Sequence, residues 1–421
     1  MSRPAFSIMT CFLFLLMLAI SSSVSAQVTF VGKWGSQGDA GDEFTNAAHI
    51  SLDGNGDVCV VDASLNTFKK FGNTGTFLLD RSVPGADPGG IDFDVAGNLW
   101  HVDESGILYK INAANGAVIG SFDGAAAGAQ VQLLNPKGVL TDPQGFIYVS
   151  DKTGGKIVGF DGSFLFELQF GQIGGGDVQF QAPLGMALDS QRRIYVAEQT
   201  NQRVQKVDNG GTYFGEVGGT AGSGDGQFQG PLDVAIDGSD NIYVVDSGNH
   251  RIQVFDPGLN FLTVIGGSGS GDGQFNFPIA LDVSGNFLYV ADAGNFRIQK
   301  FDISNVWSSG GSNGISFADE WGTPGTGNGQ FASPRPMAVD GNGDLWVVDR
   351  DNMRCHVATP SRCSTLFKHF YPLFPVFPYC SINGCRNIYR SMNSTYEKQS
   401  VFFETRNLFR LLPDKDMSHG A

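Results

Sequence analysis

Charge is scarce in this 421-residue chain, where Asp, Glu, Lys and Arg together make up 16%. So little of the Ala/Glu/Lys/Leu mixture that builds solvated helices argues against a helical bundle or a coiled coil. Basic residues are the scarcer sign, giving a net charge of −15. Residues 27–358 hold 18 Lys and Arg against 38 Asp and Glu, whereas 359–421 hold 8 against 4. An acidic body repels phosphate backbones, so nucleic acid is excluded as a partner, while cations, basic proteins and neutral glycans are not. Long apolar runs are missing beyond the start, and the stretch near 370–379 is broken by Pro372, Pro375 and Pro378, so no stable membrane span follows the leader. Also missing are a Gly-x-Ser-x-Gly elbow and a phosphate-binding Gly loop followed by Lys.

Glycine (58) and phenylalanine (34) are what the chain has in abundance, and they point to an all-β protein with tight turns and an aromatic core. The first 26 residues carry one early Arg, an apolar run from Cys11 to Ile20 and then Val24-Ser25-Ala26. That pattern reads as a secretory signal cleaved after Ala26, with an uncleaved anchor as the rival, and implies a secreted, periplasmic or extracellular destination. Of the other cysteines, Cys59 sits alone in an apolar strand pattern and reads as a buried small hydrophobe. Cys355, Cys363, Cys380 and Cys385 crowd the end, where an exported protein could form disulfides whose pairing the sequence does not give.

The chain repeats. VCVVD, LWHVD, IYVSD, IYVAE, IYVVD, LYVAD and LWVVD are seven versions of one apolar run ending in an acid, and successive acids lie 41, 48, 47, 48, 46 and 57 residues apart. Ahead of each lies a shorter apolar stretch, and between the two sit turn-formers such as Asp53-Gly-Asn-Gly-Asp57, a hairpin signal. A third strand (RVQKV, RIQVF, RIQKF) and a fourth (FLTVIG) follow. Four short strands per unit make the blade of a propeller. A Gly-rich turn ending in Phe, such as GDGQF at 224–228 and 271–275, precedes most units, and its Phe is placed to wedge between blades.

These residues, GDGQF, then a proline, then DVAIDGSDNIYVVDSGNHRIQVFD, resemble NHL repeats over roughly 28–358. The likeness is weakest in the first two units, whose third strands FKKF and ILYKI depart from the pattern. The resemblance implies a β-propeller, most often six-bladed. Seven units are counted here, so seven blades are expected, with six plus an irregular first unit as the alternative. VTFVGKWG (28–35) is then free to complete the last blade.

The recurring acid and base are the first candidates for chemistry. Asp151 and Lys156, Glu198 and Arg203, Asp246 and Arg251, Asp292 and Arg297, and Asp349 and Arg354 share one spacing. A catalytic group is normally unique in its chain, so pairs repeated five times read as ties across the loop between second and third strands, partly exposed and worth about 0–1 kcal/mol each. The seat of His250 is filled elsewhere by Gln202, Phe296, Met353 and Gly155, so it does not require imidazole. Some propellers resembling this one are enzymes, notably amidating lyases that hold zinc with channel histidines. Only His49 and His101 fall on or near inner strands here, one short of a catalytic zinc triad, and neither a metal nor another cofactor is expected. Asp-x-Asn-x-Asp at 53–57 and 340–344 lacks the glycine an EF-hand needs next and reads as a hairpin.

From 359 onward the repeat stops and an aromatic, cysteine-bearing run begins. It is either an extension that docks on the propeller or on a partner, or a segment foreign to the native coding sequence. The leading functional expectation is an exported, non-enzymatic platform for a protein or carbohydrate ligand. Its face would carry Gln202, Asn249, His250, Asn295, Phe296, Asn352 and Met353, with Asp42, Asp177, Asp225 and Asp272. The runner-up is an enzyme resembling the amidating lyases or the lactonases. A ubiquitin ligase or RNA-binding regulator fits the acidic body and the leader poorly.

Overall fold

The computed structural model describes residues 28–83, 85, 88–124, 131–306 and 314–360. The leader (1–26) and the tail beyond Pro360, with Cys363, Cys380 and Cys385, lie outside the described residues. Seven four-stranded antiparallel sheets form the blades of a propeller, each counted outward from its inner strand. The inner strands are Ala47–Leu52, Pro88–Phe93, Pro136–Thr141, Pro183–Leu188, Pro231–Ile236, Pro278–Ser284 and Pro334–Val339. The six-blade alternative fails because FKKF and ILYKI do form third strands, at Thr67–Phe71 and Ile107–Asn112.

Packing on both faces explains why second strands such as Ile242–Asp246 are buried at every position, whereas an outermost strand such as Phe166–Phe170 alternates. Seven apolar clusters lie between neighbouring blades, and five receive the Phe of a lead-in turn: Phe44, Phe180, Phe228, Phe275 and Phe331, all 0% exposed. The Asp-rich segments are hairpins. Asp53 Oδ1 accepts the Asn55 and Asp57 N–H groups (2.8 and 3.0 Å), and Asp340 does the same for Asn342 and Asp344 (2.8 Å each). Lys70 Nζ adds ion pairs to Asp53 and Asp57 at 2.8 and 3.1 Å.

The ring closes through hydrogen bonds. Val28–Trp34 pairs with Arg354–Pro360 as the outermost strand of the last blade, and Trp34 stacks on Trp346 with centroids 4.9 Å apart. The strand that begins at Arg354 runs through Pro360. Cys355 on it is a free, fully buried thiol, as is Cys59, and burial pushes both far up the pKa scale.

Candidate functional site

The turns that lead into inner strands and the loops between second and third strands meet on one face, here called the top. Its chemistry begins with the acid at the end of each second strand. Asp246 is fully buried and accepts from the Gln229 N–H (2.7 Å), Asn249 Nδ2 (2.9 Å), Arg251 Nε (2.7 Å) and Gln253 Nε2 (3.1 Å). Arg251 turns its remaining donors to the carbonyls of Ser223, Gly224 and Gln227 at 2.7–2.9 Å, so lead-in turn and loop are tied by one guanidinium. The same arrangement recurs at Glu198–Arg203 (2.7 Å) and Asp292–Arg297 (2.8 Å).

The partly exposed, low-value pairs expected from the sequence are therefore corrected. These carboxylates are 0% exposed and Arg203, Arg251, Arg297 and Arg354 only 2–8%. Removing one member leaves a buried charge and several polar groups unpaired, at about 3–5 kcal/mol. Asp349 stands 3.4 Å from Arg354, whose Nε donates instead to His356 Nε2 at 2.9 Å. Asp151 makes no ion pair with Lys156 and accepts the N–H groups of Leu134, Asn135 and Gly154 at 2.9–3.0 Å instead. In the first blade Lys69, two positions further along its strand than the usual arginine, reaches the Gly41 carbonyl (2.8 Å) and Asp80 (2.9 Å).

The position shared by Gln202, His250, Phe296, Met353 and Gly155 has a constraint the sequence hid: all five have φ between +52° and +62°, and Asn66 of the first blade stands at +51°. Only glycine is free of strain there. Two of these side chains latch onto the following blade. His250 Nδ1 accepts the Phe277 N–H at 3.0 Å, and Gln202 Oε1 accepts that of Gly230 at 2.6 Å. Phe296 and Met353 pack into the clusters beside them. Asn249, Asn295 and Asn352 each give Nδ2 to the acid of their own loop and to a lead-in carbonyl, at 2.6–2.9 Å. Most of the proposed contact face thus holds the ring together. Alongside the exposed lead-in acids Asp42, Asp177, Asp225 and Asp272, it presents apolar side chains to solvent: Leu134 at 54%, Ile173 at 64% and Phe277 at 54% exposure.

The channel adds a second group of residues. His49, half-buried on the first inner strand, has its pKa pushed down to about 4 by burial first and then by Lys137, with Glu104 opposing and Arg350 adding. His101, 1% exposed on the second strand of the next blade, falls to about 3 through burial and then the nearby His49. The two histidines therefore approach each other across the blade boundary, which sequence spacing could not reveal. His101 stacks on Tyr109 with centroids 5.9 Å apart, and its Nδ1 has no hydrogen-bond partner. Lys137 is paired with Glu104. Among the described residues no cluster of three His, Cys, Asp or Glu stands ready for a metal.

Three inner-strand carboxylates bridge blades by capping edge N–H groups of the next inner strand. Asp92 accepts from Thr141 N (2.8 Å), Asp233 from Leu281 N (3.2 Å) and Asp282 from Val339 N (2.9 Å). Burial raises all three pKa values against the pull of those hydrogen bonds, Asp233 to about 6 and Asp282 to about 7.

Comparison with known proteins agrees with this architecture. The NHL repeat family matches residues 228–255 and 275–301, within the fifth and sixth of the seven blades. The chain is an NHL-repeat β-propeller. Among solved structures this NHL propeller is similar to virginiamycin B lyase from Staphylococcus aureus bound to quinupristin. That match has 14% identity and a TM-score of 0.58, covering 77% of this chain and 98% of that one. A streptogramin B lyase matches at 13% identity and a TM-score of 0.60, over 80% of this chain and 99% of its own. Hydrazine synthase of Kuenenia stuttgartiensis matches at 13% identity and 0.60, over 76% and 97%. At such identities the likeness is one of fold. No curated protein matches the chain.

Proposed function

We propose that this NHL propeller is an exported, non-enzymatic binding platform that docks a protein or carbohydrate ligand on its top face. Phe277 carries the reading. It is 54% exposed, its φ is +50°, and it immediately precedes Pro278, a combination that backbone sterics disfavour at about 1–3 kcal/mol. Something must hold it there, and His250 does, accepting its N–H and packing edge-on against its ring with centroids 4.5 Å apart. A strained backbone braced to display an aromatic ring, on a face that also exposes Leu134 and Ile173, suits a contact surface. Export is supported by the apolar run and small residues of the first 26 positions. Capture from the extracellular fraction with the Phe277→Ala chain, against wild type and Val95→Ala, tests the reading. Loss of captured ligand with Phe277→Ala alone is expected; equal capture by all three contradicts it.

One observation favours an enzyme instead: the unpartnered Nδ1 of His101 beside His49, in a fold shared with lyases. Incubation with quinupristin, followed by mass spectrometry, separates the two. The platform reading expects no turnover; turnover that His101→Ala abolishes favours the lyase.

A further inference from the structure

Two arginines at the channel mouth differ from most of the ring, as does Arg81 on the outermost strand of the first blade, which donates only to the carbonyls of Asp80 and Asn115. Arg192, Arg193, Arg203, Arg251, Arg297 and Arg354 each pair with an acid. Arg335 and Arg350, both in the last blade and both exposed, have no carboxylate partner among the described residues. They are nevertheless held in place. Arg335 Nε donates to Ser333 Oγ at 3.1 Å, the Arg350 main-chain N–H donates to the Ser333 carbonyl at 3.1 Å, and Arg350 Nε donates to Asn46 Oδ1 of the first blade at 3.1 Å. Ser333 itself is only 9% exposed, so one buried residue fixes the Arg335 guanidinium and the Arg350 main chain. Their terminal nitrogens have no protein partner among the described residues, which leaves two forks of the shape that grips a carboxylate. Lys137 starts its inner strand at the position Arg335 holds in its own, and both Lys137 and Arg350 act on His49. Lys137 is offset by its partner Glu104, so the uncompensated positive charge at the mouth is that of Arg335 and Arg350.

The surrounding rim selects among anions. Asp42, Asp177, Asp225 and Asp272 stand exposed on the lead-in turns, so a polyanion meets repulsion before it reaches the mouth. A single carboxylate at the end of a neutral or basic segment does not. We propose that Arg335 and Arg350, clasped by Ser333 and Asn46, take the C-terminal carboxylate of a protein ligand. This deepens the platform reading and rests on it.

The test titrates the whole chain with acetyl-Ala-Ala-Lys, as free acid and as C-terminal amide, at low salt. The acid should bind at least tenfold more tightly than the amide, 0.5 M NaCl should erase most of that preference, and the Arg335→Gln/Arg350→Gln chain should lose it. Arg350→Lys, which keeps the charge without the fork, should retain part of it. Equal binding of acid and amide, no binding of either, or a preference untouched by salt and by the double substitution overturns the inference. Tighter binding of tri-galacturonate than of the peptide acid overturns the choice of ligand. No carboxylate preference in the wild-type chain, with ligand capture still dependent on Phe277, overturns this inference alone; a wild-type preference with capture independent of Phe277 overturns only the reading of the rim.

Discussion

Asp282→Asn isolates the most perturbed carboxylate of the channel. Burial raises its pKa from 3.8 to about 7, with Asp233 adding to the rise while the Val339 and Val283 N–H groups oppose it. Because the folded value lies above the unfolded one, the folded state holds the proton more tightly between these limits. The stability this supplies is complete below pH 3.8 and is lost as pH climbs through 7. A rise of about 3 units corresponds to about 4 kcal/mol at 1.36 kcal/mol per unit. Asp282 is half-buried and meets channel water, so screening reduces the effect to about 2 kcal/mol. Asparagine mimics the protonated acid and keeps an oxygen for the Val339 N–H. Urea unfolding followed by the fluorescence of buried Trp100 and Trp346 should find the variant close to wild type below pH 3.8 and increasingly the more stable as pH rises through 5. At pH 8.5 it should be more stable by about 2 kcal/mol. A difference that stays constant from pH 5 to 8.5, or grows toward acid, refutes the reasoning.

Arg251→Ala should destabilise the chain by about 3–5 kcal/mol in the same assay, and Lys156→Ala, which has no ion pair with Asp151, by under about 1 kcal/mol. His250→Ala removes the Phe277 latch and should cost about 1 kcal/mol, with faster hydrogen exchange at the Phe277 amide. His49 and His101 have depressed pKa values, so their contribution is complete above the ordinary histidine value of 6.5 and is lost toward pH 4 and 3. His101→Gln should therefore flatten the loss of stability between pH 6.5 and 4, measured as urea midpoints against pH.

The propeller was legible in the sequence because its signals are local and repeated: apolar runs ending in an acid, Asp-rich hairpins, and a Phe before five of the seven inner strands. The weak first units show the limit of that legibility. FKKF looks irregular because its cation sits at Lys69, two places from the usual seat, yet it reaches the same lead-in carbonyls. The burial of Asp246 and Arg251 was not legible, since it arises when the turn at 223–227 folds over a loop some 25 residues away. Nor was the left-handed seat of His250, because Gln, His, Phe and Met there give no glycine signal. The channel mouth was hidden most completely, since His49, His101, Lys137 and Arg350 come from four different blades and only ring closure gathers them.

Photo-crosslinking tests the central claim of a top-face platform most directly. A benzophenone side chain placed at position 277 is compared with one at 95, a residue 72% exposed on the hairpin between the first and second strands of its blade. Irradiation in the extracellular fraction should give a discrete adduct from position 277 and none from 95. Adducts from 95 alone, or from neither, would contradict it.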